Sequence, residues 1–248
     1  MTKIVLFLAF SFTSILSFSQ TAEEVVATYI KNIGGADKLK AISSVQMNAA
    51  VDYGGMSIPI EMISLRDGRS VMKITFQGQE MVQMAYDGKT AWGTSFMTMK
   101  PEKNEAEETE NIKRSVGDFI SPLIDYKANG YTIELLPNET IEGMECFKLK
   151  LTKKPMLVDG KEVPNIEFYY IDKENFVPIV VEAEIPSGEM KGNISQTVYS
   201  DYQEVDGIYF AFSMMQRLKD GEGQTIEFEK IVLNGKFEDN IFVFPGDK

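Results

Sequence analysis

Most enzyme chemistry at neutral pH needs a side chain that exchanges a proton there, and this 248-residue chain contains no histidine. The commonest general base and the commonest transition-metal ligand are therefore both missing. Cys146 is the single cysteine, so neither an intramolecular disulfide nor a thiolate zinc site can form. It alternates with Phe147 and Leu149 and reads as a small buried apolar residue. No Gly-x-Ser-x-Gly elbow presents a nucleophile. The densest carboxylates lie in residues 102–110, EKNEAEETE, where spacing fixes no two of them as the acid and base of a hydrolase. They read as the solvated start of a helix. The expectation is a non-enzymatic protein with no catalytic residue, no metal site and no cofactor.

What the chain offers instead is soft apolar surface. Of 14 methionines, eight lie between Met47 and Met99: Met47, Met56, Met62, Met72, Met81, Met84, Met97 and Met99. Flexible thioethers suit a surface that repacks around varied ligands, and they equally fill an irregular core. The formal net charge of −12, with no lysine cluster interleaved with aromatics, argues against a nucleic-acid partner.

The elements that would position these side chains begin after a leader. Lys3, the apolar run Ile4 to Leu16 and the small residues Ser17 and Ser19 form a secretory signal, cut after Ser19, with Gln20 as second choice. No cysteine sits at the cut, so a soluble extracytoplasmic product with one domain over 20–248 is expected. Thr21 and Glu24 form a capping box for a helix whose face carries Val25, Val26, Tyr29, Ile30 and Ile33, stopped by Gly34-Gly35. A second short helix, ADKLKAI, follows.

From Gln46 the chain alternates in strands, with turns at Gly54-Gly55, Asp67-Gly68, Gly78-Gln79 and Asp87-Gly88, the pattern of an antiparallel meander. Pro59 places its strand at an edge or bulge. In MVQMAYDGKTAWGTS, residues 81–95, Val82, Met84 and Tyr86 share one face by period two, while Met81 and Ala85 occupy the other. This hairpin, bearing the single tryptophan, Trp92, is therefore apolar on both sides. Residues 101–126 interrupt the meander with a helix whose face carries Ile112, Val116, Phe119, Ile120, Leu123 and Ile124, ended or kinked by Pro122. Strands then resume from YTIELLP to a closing IFVFP.

AYDGKTAW, with softer matches in FYYIDKENFVPIVVEAEI and YSDYQEVDGIYFAF, resembles the LolA/LolB-like lipoprotein-carrier superfamily over nearly all of the mature chain. The resemblance implies a mainly β (α+β) fold: a curved, incompletely closed antiparallel β-barrel whose hollow is covered by N-terminal and central helices. It implies a periplasmic carrier that receives the acyl chains of lipoproteins or lipids for outer-membrane sorting, working between membrane donor and acceptor proteins. Without a lipidated N-terminal cysteine, the soluble carrier is the closer match.

On that reading Met62, Met72, Ile74, Val82, Met84 and Trp92 line the hollow, and Phe119, Ile120 and Leu123 plug it. Trp92 as a plain hairpin packing residue is the alternative. Arg66 falls near a family arginine that hydrogen-bonds the covering helix, although the family reads Arg-Pro where this chain reads Arg66-Asp67; an exposed turn arginine is the other reading. Burying the plug's four to six side chains contributes roughly 1.5–3 kcal/mol each. An acyl chain of about sixteen carbons, at roughly 0.8 kcal/mol per methylene, is comparable, so the two can exchange. A sensor or adaptor domain that samples envelope lipids without releasing them is the rival function.

Overall fold

The computed structural model describes residues 20–247; the expected leader lies outside them. Helix α1 (Ala22–Asn32) opens with the capping box expected from Thr21 and Glu24. The Thr21 N–H donates to Glu24 Oε2 at 2.8 Å, and the Glu24 N–H to Thr21 Oγ1 at 3.2 Å. Its buried face is Val25, Val26 and Tyr29, continued by Ile33. Gly34, at φ +130°, turns the chain where a Cβ would stand 2.7 Å from the Gly207 carbonyl oxygen, so only glycine fits there. Helix α2 (Ala36–Ala41) leads into the sheet.

Six strands form the first meander: β1 (Ser44–Tyr53), β2 (Met56–Leu65), β3 (Ser70–Phe76), β4 (Gln79–Tyr86), β5 (Ala91–Thr94) and β6 (Pro101–Lys103). After α3 (Ala106–Arg114) come β7 (Thr132–Ile141) and β8 (Met144–Thr152). A separate small hairpin, β9 (Met156–Val158) with β10 (Lys161–Val163), turns at Asp159-Gly160. The second meander continues through β11 (Ile166–Asp172), β12 (Pro178–Glu184), β13 (Ile194–Val205), β14 (Ile208–Leu218) and β15 (Gly223–Leu233). One antiparallel sheet of 13 strands results, in the order β6-β5-β4-β3-β2-β1-β15-β14-β13-β12-β11-β8-β7. β1 joins the two meanders by pairing Val45 with Leu233 and Met47 with Ile231. β6 and β7 remain unpaired edges, so the barrel does not close.

The main core shows the curvature. It gathers α1, Leu39, Ile42, Leu123 and Tyr126 with Val45, Phe147, Leu149, Leu151, Tyr169, Ile171, Phe210 and Ile231. In a flat sheet β1 and β8 would lie about 30 Å apart, at roughly 4.8 Å per strand. They meet in one cluster because the sheet curls around α1. The outer face carries a separate cluster of Cys146, Tyr170, Ile179 and Val180, so Cys146 is the buried small residue expected of it. Pro59 lies in a strand flanked on both sides, yet β2 pairs with β3 only from Ile60 to Ser64, which leaves Pro59 without a partner on that side.

Two expected elements differ. The helix expected within residues 101–126, over 105–124, is α3 alone. It ends at Arg114, and a single 3-10 turn, Val116–Asp118, follows. Ser115 Oγ donates back to the Ile112 carbonyl at 2.9 Å, Gly117 removes helical propensity, and Ile120 turns left-handed at φ +67° before Pro122. IFVFP is likewise no strand: Asp239–Ile241 form a 3-10 turn, and Phe242 is fully buried.

Candidate functional site: an apolar cavity under a turn

Direct cross-strand pairing sets Met47 opposite Met62, Met62 opposite Met72, and Met72 opposite Met84. Four methionines thus form a row across β1 to β4 on one face, all of them half-buried. A cavity of about 440 Å³ lies above this row, within the ~300–1,000 Å³ range of small-molecule sites. Met47, Met62 and Met84 line one side and Ile112, Val116, Phe119 and Ile120 the other; Ser64, Ser70, Ser115 and Asp118 contribute the polar atoms.

The turn 116–120 forms one wall of the cavity and is fastened at several points. Asp118 accepts from Tyr131 Oη at 2.7 Å and from Lys153 Nζ at 3.0 Å. Asn129 Nδ2 donates to the Gly117 carbonyl at 2.8 Å. Gly68, at φ +97°, lets Val116 approach so closely that a Cβ there would stand 2.4 Å from its Cγ1. Ile120 is β-branched in the left-handed region, a conformation that costs of order 1–3 kcal/mol and persists only because its surroundings hold it. The plug is thus a strained turn.

Arg66 is the structural centre of the closure. Its Nε donates to the Ile42 carbonyl at 2.6 Å and its Nη2 to the Leu39 carbonyl at 2.5 Å, the open end of α2. Its guanidinium lies 4.8 Å from the centre of the Phe119 ring. One side chain therefore couples the end of β2, helix α2 and the plug.

The structure brings Met62, Met84, Phe119 and Ile120 together around the cavity, with Met72 between the two methionines in the row. The other expected residues lie elsewhere. Leu123 is fully buried in the main core. Ile74 borders a second apolar cavity of about 610 Å³, farther along the strands, with Ile58, Phe76, Met81, Phe96 and Met99. Val82 and Trp92 face the opposite side of the sheet, in a cluster with Ile63, Val71, Ala85 and Phe242. The expected period-two face of Val82, Met84 and Tyr86 is broken by a bulge. Met72 pairs with Met84 but Lys73 with Val82, so Gln83 is the extra residue and every side chain before it changes face. Met81 accordingly turns inward with Ile74.

Behind the plug lies a larger, more polar cavity of about 780 Å³, which shares Ile112, Ser115 and Asp118 with the apolar one. On its wall Lys153 is buried between Asp118 and Glu167, with Glu167 Oε1 at 2.5 Å. Burial pushes the Lys153 ammonium down, but the Glu167 and Asp118 carboxylates outweigh it and leave the group above its ordinary value. Burial, then the Asp118 carboxylate, raises the Tyr131 hydroxyl, so it stays a donor. Sequence reasoning missed Lys153, Tyr131 and Asn111. Asn111 pins α3 to β9 by donating to the Leu157 carbonyl at 2.8 Å and accepting from its N–H at 2.7 Å. Nothing in KLKLTKKP marks one lysine as buried. The acidic run proves structural in part: Glu107 accepts from the Asp159 and Gly160 N–H groups at the β9–β10 turn. Among the described residues no three acidic, cysteine or histidine side chains are placed to hold a metal, and no helix is long and apolar enough to cross a membrane.

A protein-family model described as "Uncharacterized protein"-like matches residues 115–244, just over half of the chain. No curated protein sequence matches it. Among solved structures, a LolA superfamily protein from Nitrosomonas europaea is similar at 18% identity and TM-score 0.57, over 91% of this chain and 98% of that one. A DUF1329 family protein from Desulfovibrio piger gives 14% identity and TM-score 0.57 over 92% and 99%. An outer membrane lipoprotein-sorting protein domain from Vibrio parahaemolyticus gives 12% and 0.53 over 88% and 94%. Such identities speak for the fold alone. The chain belongs to the uncharacterized family matched over residues 115–244, and its fold is LolA-like.

Proposed function

We propose that the protein is a non-enzymatic extracytoplasmic carrier that binds the acyl chains of lipids or lipoproteins in its apolar cavity and delivers them toward the outer membrane. The observation that carries this reading is the methionine row facing a strained turn across about 440 Å³. An acyl chain entering there displaces Phe119 and Ile120. The burial lost and the burial gained are of similar size, at roughly 0.8 kcal/mol per methylene on the ligand side. Relaxation of Ile120 from its left-handed conformation offsets part of the opening. The closed state then needs no ligand and the open state needs no large input, which is what reversible loading requires. An extracytoplasmic location is supported by the leader-like pattern of residues 1–19. Native mass spectrometry of the protein purified from its own envelope fraction tests the reading. A bound acylated species, lost on exposure to lipid vesicles, is expected; a protein that never carries such mass, even after incubation with fatty acid, refutes it. Retention of that mass in the presence of acceptor membranes would favour the sensor.

A further inference from the structure

The apolar and polar cavities meet at Asp118, and Asp118 belongs to the turn that an acyl chain must displace. Phe119 is its immediate neighbour in the chain, so a shift of the turn backbone that carries the ring out of the cavity also draws the carboxylate away from Lys153 and Tyr131. That withdrawal leaves two donors in a poor position. The Lys153 side chain is only 10% exposed, and the Tyr131 ring is buried in the main core. A buried ammonium would lose one of its two counter-charges, and a buried hydroxyl would lose its acceptor. Glu167 would stay, since Tyr169 Oη donates to it at 2.7 Å from the sheet itself.

The surrounding wall is suited to an anion. In a chain of net charge −12, this cavity is lined by Arg114, Lys153, Lys154 and Lys191 against the three carboxylates of Asp118, Glu167 and Glu184. Arg114 is already paired with Glu110 and Glu162, so withdrawing Asp118 leaves Lys153, Lys154 and Lys191 facing the two carboxylates of Glu167 and Glu184. We propose that Lys153 and Tyr131 are the headgroup-binding end of the lipid site, and that Asp118 occupies the place of the ligand's anion in the closed protein. The ligand class is an amphiphile with a single apolar tail and a carboxylate or phosphate at its head: the tail replaces Phe119 and Ile120, and the head replaces Asp118. A neutral acyl chain, such as one amide-linked to a protein, opens the same turn but leaves both donors unpaired. The proposal rests on the apolar cavity being an acyl-chain site, and adds to it the charge of the preferred ligand.

The test titrates the protein with dansyl-aminoundecanoic acid, with its methyl ester, and with inorganic phosphate as competitor, following dansyl fluorescence at mildly alkaline pH. The wild type should bind the acid at least about tenfold tighter than the ester, the ratio that corresponds to roughly 1.4 kcal/mol. Asp118→Asn should widen that ratio, because the protein's own competing anion is gone. Lys153→Met should bring it close to one. Should Lys153→Met fail to fold, Tyr131→Phe keeps the ring and should lower the ratio several-fold. Equal binding of acid and ester by the wild type overturns the headgroup assignment and leaves the acyl cavity standing. Inorganic phosphate should compete with the acid but not with the ester; displacement of both alike would overturn the headgroup assignment. Failure of both probes to bind any variant overturns the acyl-site reading itself, and this inference with it.

Discussion

Strands β2 to β4 carry an apolar cluster on each face, and the two clusters are covered by different means. On the outer face, Ile63, Val71, Ala85 and Trp92 are buried under Phe242, with Phe237, Ile241 and Phe244 packed around them. There Trp92 Nε1 donates to the Phe242 carbonyl at 2.7 Å, and its ring meets Phe244 edge-on at 5.9 Å. On the inner face, the methionine row meets a half-buried turn across a cavity. The outer cover is rigid aromatic packing fixed by a buried hydrogen bond. The inner cover is flexible thioether against a turn in an unfavourable backbone conformation, tied by polar contacts that can be exchanged. Apolar surface on both sides of a hairpin is therefore not redundant: one face stabilises the protein, and the other stays open to substitution.

The sharpest break of this comparison is Trp92→Ala. It should cost the 3–5 kcal/mol typical of a buried large-to-small change, and the orphaned Phe242 carbonyl adds to it. Lipid affinity should not rise, because in the proposed site the ligand lies on the other face. A denaturant melt beside a fatty-acid titration checks both. A gain in binding would show that the two faces are not independent.

Phe119→Ala should be milder, up to roughly 3 kcal/mol, since its ring is half-buried and loses chiefly cavity contacts and the Arg66 stacking. Here affinity should hold or strengthen, because the ligand no longer displaces a packed ring. Weaker binding in proportion to lost stability would make the plug ordinary core.

The smallest effect is electrostatic. Lys153 is held above its ordinary value, so its contribution is complete below the unfolded lysine range and is lost as pH rises through the folded value. The difference in stability between wild type and Asp118→Asn should therefore be constant through neutral pH and shrink at strongly alkaline pH. Melts of both proteins across that range would show it. A difference that stays unchanged into strongly alkaline pH would mean that the Lys153 charge contributes nothing to it.

The parts of this fold that were legible in the sequence are those set by local chemistry. The Thr21–Glu24 box, the Asp-Gly turns and the alternation of the strands are written in a few adjacent residues. The errors arose where a count was carried across an irregularity. Counting by two from Met84 to Val82 assumes no bulge, and Gln83 is one. Counting a helical face from Ile112 to Leu123 overlooks Ser115 and Gly117, whose effect is decided by what the turn packs against. IFVFP has strand composition, but the back of Trp92 claims its phenylalanines. The Lys153 cluster joins residues 118, 131, 153 and 167 through tertiary approach alone, and no spacing announces it.

The hydrogen bond from Trp92 to the Phe242 carbonyl spans 150 residues of chain. The first meander is made of neighbouring strands and can pair by short loop closures, a fast kind of event. Its outer face, however, has no cover until the segment around Phe242 arrives, and the β1–β15 seam joins residues still farther apart in the chain. Until that segment arrives, paired strands would present Ile63, Val71 and Trp92 to water, so the rate of aggregation during refolding should depend on how soon residues 237–244 become available.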